Sequence, residues 1–307
     1  MKWRKISHIP IHATRVQVPV VDASFKDKFR IYYSSRTSEN KSIPLFIDVK
    51  STDPTKVLTH QTSPILQLGK RGSFDWAGIM PTEIIEKDGL KYLYYIGWSR
   101  RTDIPYHNAL GLAISEDGGK TFSKISDGPI FATSRLEPGY VGTMSITRAI
   151  TGEFMGYYLS CQDWVKSDVG YEPVYDIKLA ISSDGIDWKP TGKSCISLEG
   201  NEGGISQACV RQLKDGNLEM HFSSRGKVDY RKNIANSYRI RRALSKDGKI
   251  WERVPGVCID VSSEGWDSEM TAYPYVVSHK NLDYLFYNGN GFGQSGAGFA
   301  TRARQIV

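Results

Sequence analysis

Cysteine, long apolar runs and helical periodicity are all scarce in this chain of 307 residues. Its four cysteines, Cys161, Cys195, Cys209 and Cys258, are too few for a disulfide scaffold and too far apart for a CxxC zinc pattern. They read as buried small hydrophobes, and the expected compartment is a reducing cytoplasm. No window approaches the ~18 uninterrupted apolar residues of a membrane helix, so no membrane partner is expected. The basic tip Met1-Lys2-Trp3-Arg4-Lys5 has no apolar run behind it and is not expected to be a signal peptide. His12, His107 and His221 show no metal-ligand spacing, and neither metal nor cofactor is expected. No glycine-rich loop enters a helix: Gly289-Asn290-Gly291-Phe292-Gly293 follows a strand and reads as a mobile rim loop.

What the chain does have is aromatic side chains. Seven Trp, 17 Tyr and 11 Phe, within 40% apolar residues, exclude intrinsic disorder. The formal charge of +7 is modest for this length. A nucleic-acid binder gathers its cations into a stripe or arm. The nearest approach is Tyr230-Arg231-Lys232 through Arg239, Arg241 and Arg242, which alternates with apolar residues as a strand edge does. A solvated face and a seat for a small anion both fit that run; a nucleic-acid partner is not expected.

Two motifs repeat. An apolar strand ending in Ser-x-Asp-Gly, followed by an aromatic residue, occurs three times. The copies are Ser115-Glu116-Asp117-Gly118 reaching Phe122, Ser182-Ser183-Asp184-Gly185 reaching Trp188, and Ser245-Lys246-Asp247-Gly248 reaching Trp251. Asp-Gly supplies the positive φ of a tight turn, so each copy is a hairpin. An aromatic strand ending in small polar residues occurs five times, aligned at Tyr32, Tyr94, Tyr157, His221 and Phe286 with intervals of 62, 63, 64 and 65 residues. Each unit opens with an apolar strand: Val16 to Val21, Ile79 to Ile85, Met144 to Ile150, Ile205 to Val210 and Ala272 to Val277. Five such units consume the chain, which overrules the two domains that length alone suggests. The expectation is all-β, one five-bladed β-propeller domain spanning 1–307.

Ring closure is legible as well. The fifth unit ends at Gly296-Ala297-Gly298-Phe299-Ala300, which matches a third strand. Its fourth strand is expected from Trp3-Arg4-Lys5-Ile6, which resembles Trp188-Lys189-Pro190, Trp251-Glu252-Arg253 and Phe122-Ser123-Lys124-Ile125. An N-terminal strand closing the last blade removes an exposed edge.

Propellers place ligands at the mouth of the central channel, just before and within each first strand. There the chain carries Arg15, Asp75 and Trp76, Glu202 beside Gly203-Gly204, and Trp266-Asp267 with Glu269 and Tyr273. Glycine lets a ligand approach the backbone, and Trp or Tyr offers a flat face to a sugar ring. Arg36, Arg100 and Arg225 follow the aromatic strands at a similar register, and arginine suits bidentate binding of carboxylate or phosphate.

The hairpins, together with Phe74-Asp75-Trp76-Ala77-Gly78-Ile79-Met80-Pro81 and Tyr106-His107-Asn108-Ala109-Leu110-Gly111-Leu112-Ala113, resemble the superfamily of glycoside hydrolase families 43, 32, 68 and 130. This is the arabinanase, invertase and mannoside phosphorylase group. The resemblance implies a five-bladed propeller and an activity on glycosides, in the setting of bacterial surface-glycan metabolism. It also implies inner-strand carboxylates, and here the chain departs from the pattern. The corresponding residues are Val18, Met80, Met144, Gln207 and Tyr273, none of them acidic.

Relocated carboxylates are the expected remedy. Asp75, Glu202 and Glu269 are the candidate catalytic residues, since glycoside cleavage needs one protonated and one ionised carboxyl group. A glutamate beside Gly203-Gly204 or Trp266 is expected to gain a raised pKa on burial, as a general acid requires. Arg15, Arg36, Trp76, Arg100, Arg225, Trp266, Asp267 and Tyr273 are the candidate substrate-binding residues. The expected partner is an anionic small-molecule carbohydrate. A hydrolase or phosphorylase acting on a modified or acidic sugar is the first functional expectation. A propeller that binds a glycan or nucleotide-sugar without catalysis is the alternative.

Overall fold

A computed structural model describes residues 2–11, 13, 15–168 and 170–304. The reading of His12 falls outside the described residues. Strand β1 (Arg4–His8) precedes four blades of consecutive strands. The first holds β2 (Gln17–Asp22), β3 (Lys28–Arg36), β4 (Ser42–Lys50) and β5 (Asp53–Gln61), and the second β6 (Gly78–Lys87), β7 (Leu90–Arg100), β8 (Tyr106–Ser115) and β9 (Ser123–Lys124). The third holds β10 (Val141–Arg148), β11 (Phe154–Ser167), β12 (Gly170–Ser182) and β13 (Lys189–Ile196). The fourth holds β14 (Glu202–Gln212), β15 (Leu218–Gly226), β16 (Arg239–Ser245) and β17 (Glu252–Ile259). In the fifth, β18 (Ala272–His279), β19 (Leu282–Asn288) and β20 (Ala297–Ala303) are completed by β1, giving the order β1-β20-β19-β18.

The closure has the expected register. Lys5 pairs with Ala300 and Ser7 with Phe299, antiparallel. Successive blades are also stitched by single parallel bridges, Ser42 to Gly78 and Tyr175 to Gly204.

The two sequence motifs are each other's partners across blade boundaries. Tyr32 donates to the Gly119 carbonyl (2.9 Å), Tyr94 to Gly185 (2.8 Å) and Tyr157 to Gly248 (3.0 Å), each in the Asp-Gly turn of the next blade. The same rings meet the returning aromatic edge-on: Tyr32 with Phe122, Tyr94 with Trp188 and Tyr157 with Trp251. At the fourth boundary His221 takes the tyrosine's place and Trp3 the tryptophan's. Trp3 Nε1 donates to His221 Nε2 at 3.3 Å, with the rings 5.5 Å apart. Each buried hydrogen bond contributes roughly 0.5–1.5 kcal/mol and each aromatic pair a similar amount. Repetition of the motif is therefore repetition of an inter-blade joint, and the N-terminal tryptophan completes the last of the series.

The Asp-Gly turns are built alike. Asp184 accepts from the N–H groups of Ile186 and Asp187, and Asp247 from those of Lys249 and Ile250. Gly118, Gly185 and Gly248 hold φ of 73°, 80° and 73°, which a side chain would strain.

All-β is not quite complete. A 3₁₀ turn at Ile234–Asn236 and one helical turn, α1 (Asn290–Gly293), interrupt the pattern. The second falls within the segment expected to be a mobile rim loop. It is instead tied to the first blade, where Val16 N–H donates to the Gly293 carbonyl at 2.8 Å. Cys161 and Cys209 are buried, Cys195 and Cys258 half-buried, and all four are free thiols. Among the described residues no helix is long and apolar enough to cross a membrane.

Candidate functional site

The first strands β2, β6, β10, β14 and β18 pack around the centre, and all five break register near their start. Val18, Gln207 and Tyr273 take positive φ at these bulges (52°, 49° and 55°), where bulged strands re-aim side chains. The freed backbone N–H groups are capped from neighbouring strands: Val18 by Asn288 Oδ1, Gln207 by Thr143 Oγ1 and Tyr273 by Ser223 Oγ. These are three of the positions at which the resemblance implies carboxylates. The structure shows backbone bulges there, each satisfied by a neutral side chain.

Above the bulges lies a cavity of about 370 Å³ with walls from all five blades. Arg15 and Arg36 come from the first blade, Trp98, Tyr106 and Asn108 from the second, Tyr140 and Tyr175 from the third, Tyr230, Arg231 and Tyr238 from the fourth, and Tyr273 with Phe292 from the fifth. None of the lining residues is Asp or Glu. The larger groove of about 760 Å³ lies between the fourth and fifth blades, away from the bulges, and its Arg211, Arg242 and Arg302 are paired with Glu219 or Asp283.

The long hairpin of β11 and β12 builds one wall. Its Trp164 packs at 5.7 Å on Tyr106 and 5.8 Å on Tyr140. Its Glu172, 1% exposed, accepts from the Asp229 N–H (2.8 Å) and from Arg231 (3.3 Å), which holds that arginine at the cavity edge. Tyr175 and Tyr238 share a short hydroxyl contact, and Arg225 Nε donates to Tyr175 at 3.1 Å. Burial pushes the phenols of Tyr106, Tyr140, Tyr175, Tyr230 and Tyr273 above their ordinary pKa. These hydroxyls stay protonated at neutral pH.

On the opposite side Arg36 donates to Gln17 Oε1 (3.1 Å) and the Asn40 carbonyl (3.2 Å), with its guanidinium 4.9 Å from the Trp98 ring. Arg15 donates to the Gly291 carbonyl, and Arg100 to the Glu39 carbonyl at 2.8 Å. Burial, then the like charges of Arg15 and Arg100, push the Arg36 pKa below its ordinary value. Three cations thus crowd one rim.

Of the residues singled out from sequence, Arg15, Arg36 and Tyr273 line the cavity. Arg100 stands beside Arg36, its guanidinium 5.7 Å from the Trp76 ring, and neither Arg100 nor Trp76 lines the cavity. Arg225 is 2% exposed and lies behind the wall, bonded to the carbonyls of Pro173, Gly226 and Lys227 and 3.8 Å from the Tyr230 ring centre. Trp266 packs on Tyr287 and His8, and Asp267 is held by Tyr287 (2.8 Å) and Lys5 (2.7 Å). Both sit in the closing blade's joint, outside the cavity.

The three candidate carboxylates are not brought together at the cavity. Asp75, 1% exposed, pairs with Lys124 at 2.5 Å and accepts from Ser73 and Tyr95, so it pins its own loop. Glu202 takes a bidentate grip from Arg253 at 3.0 and 2.8 Å. Burial works to raise its pKa, but Arg253 overrides it and the net shift is downward, opposite to what a general acid needs. Glu269 is exposed.

A fourth acid escaped the sequence reading. Glu83 on β6 is 6% exposed and accepts from Tyr275, Ser145 Oγ (3.0 Å) and the N–H groups of Ile146 and Ile84 (both 3.1 Å). It joins three first strands inside the channel below the cavity, and burial pushes its pKa up. The signal for it is an acid inside the apolar run Ile79 to Ile85. Among the described residues no cluster of three or more His, Cys, Asp or Glu is placed to hold a metal ion.

No protein-family model matches the chain. The uncharacterized protein Rv1502 of Mycobacterium tuberculosis strain H37Rv is 31% identical over 317 residues, covering 98% of this chain and 99% of its own length. Its counterpart MT1551 in strain CDC 1551 shows the same identity over 315 residues, with the same two coverages. The chain belongs to the family of these mycobacterial proteins. Among solved structures, BT0996 in a complex with RGII superposes with a TM-score of 0.75 at 18% identity, covering 99% of this protein and 93% of that one. A thermostable family 43 glycoside hydrolase gives 0.68 at 16% identity, covering 99% and 98%. A structure from the family 130 mannoside phosphorylases, which include glycoside hydrolases targeting β-1,2 mannosidic linkages in Candida mannan, gives 0.67 at 17%, covering 99% and 96%. At these identities the likeness is one of fold.

Proposed function

We propose that the protein recognises an anionic carbohydrate in its central cavity. One observation carries this: Arg15, Arg36 and Arg231 share a cavity with aromatic rings and without a lining carboxylate, Arg36 lying against Trp98 and Arg231 against Tyr230. Guanidinium groups recognise carboxylate or phosphate through planar forks, and flat rings support the apolar face of a sugar. The volume lies at the lower end of the ~300–1,000 Å³ typical of small-molecule sites, which suits a mono- or disaccharide. Calorimetric titration with a panel of neutral, carboxylated and phosphorylated sugars tests the reading. Anionic members should bind at least tenfold more tightly than their neutral parents, and Arg36→Gln should abolish that preference. Equal affinity for neutral and charged sugars would refute it.

The fold likeness favours a second reading, a hydrolase or phosphorylase acting on a modified or acidic glycoside in bacterial surface-glycan metabolism. Asp75, Glu202 and Glu269 are the carboxyl groups it would draw on. Turnover of an aryl glycoside or of a β-mannoside, with and without inorganic phosphate, lost in Asp75→Asn, Glu202→Gln or Glu269→Gln variants that melt like the wild type, supports it.

A further inference from the structure

A hydrogen-bonded chain of three buried side chains ends at the cavity wall, on the side of the fourth blade. Arg225 stands behind that wall, with Nη1 and Nη2 anchored to the carbonyls of Gly226 (2.8 Å) and Pro173. Its Nε donates to the Tyr175 hydroxyl at 3.1 Å, and that hydroxyl is bonded in turn to the hydroxyl of Tyr238. Both tyrosines are buried and both line the cavity. The Gly203-Gly204 pair makes room for the arrangement. A Cβ at Gly204 would lie 2.5 Å from Tyr175 Cε2 and 2.9 Å from Arg225 Cζ, and one at Gly203 2.9 Å from Arg225 Nη1.

The cation at one end fixes the direction of the chain. A guanidinium has donors only, so the Tyr175 oxygen accepts from Arg225. Burial holds the Tyr175 phenol above its ordinary pKa although Arg225 works against it, so Tyr175 has a proton to give. Directed at Tyr238, that proton completes a chain in which the Tyr175 hydroxyl accepts once and donates once, and each bond polarises the next. The reverse direction would load both donors onto the Tyr175 oxygen and leave its own proton buried beside a cation with no acceptor. The Tyr238 oxygen is therefore occupied and its proton is left over. Beyond Tyr175 that hydroxyl has no hydrogen-bond partner among the described residues.

An independent observation comes from the same blade. Ser206, on β14 two residues past Gly204, is 2% exposed and lines the cavity, yet its hydroxyl has no hydrogen-bond partner among the described residues. On the premise that the cavity takes a carbohydrate, we propose that Tyr238 is a specificity-determining residue whose hydroxyl donates to an acceptor oxygen of that ligand. Ser206 supplies a second contact, and Tyr175 and Arg225 are positioning residues that set the polarity without reaching the ligand through Arg225 itself. A carboxylate, phosphate, hydroxyl or ring oxygen satisfies the Tyr238 proton. A group that can only donate, such as the ammonium of an amino sugar, meets that proton head-on.

Calorimetric titration of the full chain with glucuronate, galacturonate, glucose 6-phosphate and glucose tests the assignment, in wild type and in variants that melt like it. Tyr238→Phe should weaken every sugar that binds wild type about fivefold, the worth of one hydrogen bond. Tyr175→Phe alone should weaken them about two- to threefold and add nothing in the Tyr238→Phe background, because it acts only through the Tyr238 proton. Ser206→Ala should weaken the same sugars. A singly fluorinated tyrosine at position 238, a stronger donor and weaker acceptor of nearly the same shape, should tighten binding, and it serves even where a Phe variant folds poorly. Weaker binding with the fluorinated residue reverses the direction and overturns the proposal. Unchanged affinity in Tyr238→Phe, or full additivity of the two tyrosine substitutions, also overturns it while leaving the anionic-carbohydrate reading intact. Glucose binding as tightly as the charged sugars refutes the anionic reading, while a fivefold loss in Tyr238→Phe would still support the role of Tyr238. Failure of all these sugars to bind wild type overturns both.

Discussion

Replacing Glu219 by Gln removes one negative charge from the most heavily charged joint in the ring and leaves its shape nearly intact. The Glu219 side chain is 2% exposed and faces three arginines. It accepts from Arg211 at 3.0 and 2.9 Å, from Arg302 at 3.0 Å and from Arg242 at 3.2 Å. Asp283, the second acid, also binds Arg211 and Arg302, the latter at 3.0 Å. Trp3 covers Arg302 with its ring 4.5 Å away, so the network couples the fourth blade to the closing strand. In the variant Arg211 and Arg302 keep only Asp283, and Arg242 loses its pairing with Glu219. Breaking a buried ion pair by removing one partner costs about 3–5 kcal/mol. With an unfolding entropy of ~2.1 cal/mol/K per residue, that cost lowers Tm by about 5–8 °C.

The pH dependence gives a second readout on Glu219. Burial works to raise its pKa, and the facing arginines hold it well below the usual carboxylate range. Asp283 is lowered to about 2, with burial again opposed by Arg211. A carboxyl group depressed in the folded state contributes stability above its unfolded pKa, and loses it as pH falls through the folded value. Wild-type protein should therefore lose stability steeply below pH ~4, and Glu219→Gln less steeply. Urea melts at pH 7 and pH 3 measure both effects. A variant within 1 kcal/mol of wild type at pH 7 with an unchanged acid limb would refute the assignment of this network as the closing joint.

Three further outcomes follow from other joints. His221 is fully buried and pushed down to about 3, chiefly by burial, so only the unfolded chain takes up its proton between pH 6.5 and 5; wild type should lose about 2 kcal/mol over that interval and His221→Phe should not, as urea melts will show. Asp247→Ala removes the acceptor for two turn N–H groups and should cost about 1 kcal/mol, read as a lower urea midpoint with an unchanged slope. Arg225→Lys cannot reproduce a fork that reaches three carbonyls and a phenol; it should cost about 2–3 kcal/mol and weaken neutral and anionic ligands equally, because Arg225 stands behind the cavity wall.

The ring was legible because its joints are local motifs. Asp-Gly turns and aromatic strands each leave a short sequence signature, and their regular spacing implies the array even before Tyr32, Tyr94 and Tyr157 are seen to reach the next turn. Trp3 was legible for the same reason, as one more copy of the returning aromatic. The cavity was legible only in part. Arg15, Arg36 and Tyr273 sit at first-strand bulges or aromatic-strand ends whose register the repeat fixes. Arg231 and Tyr230 stand out in the sequence as one end of a basic run, but their loop has no counterpart in the other blades, so nothing in the spacing places them at the centre. The acids lie off the cavity for a different reason. Asp75 and Glu202 stand near the mouth by chain position, whereas what decides a carboxylate's role is the cation that reaches it. Lys124 comes from the last strand of the same blade and Arg253 from β17, 49 and 51 residues further along. Those ion pairs hold Asp75 and Glu202 in their loops, whereas Arg15 and Arg36 line the cavity. The same long-range pairing that ties up Asp75 and Glu202 leaves a cavity lined by Arg15, Arg36 and Arg231 without a lining carboxylate, which is the feature the anionic-carbohydrate proposal rests on.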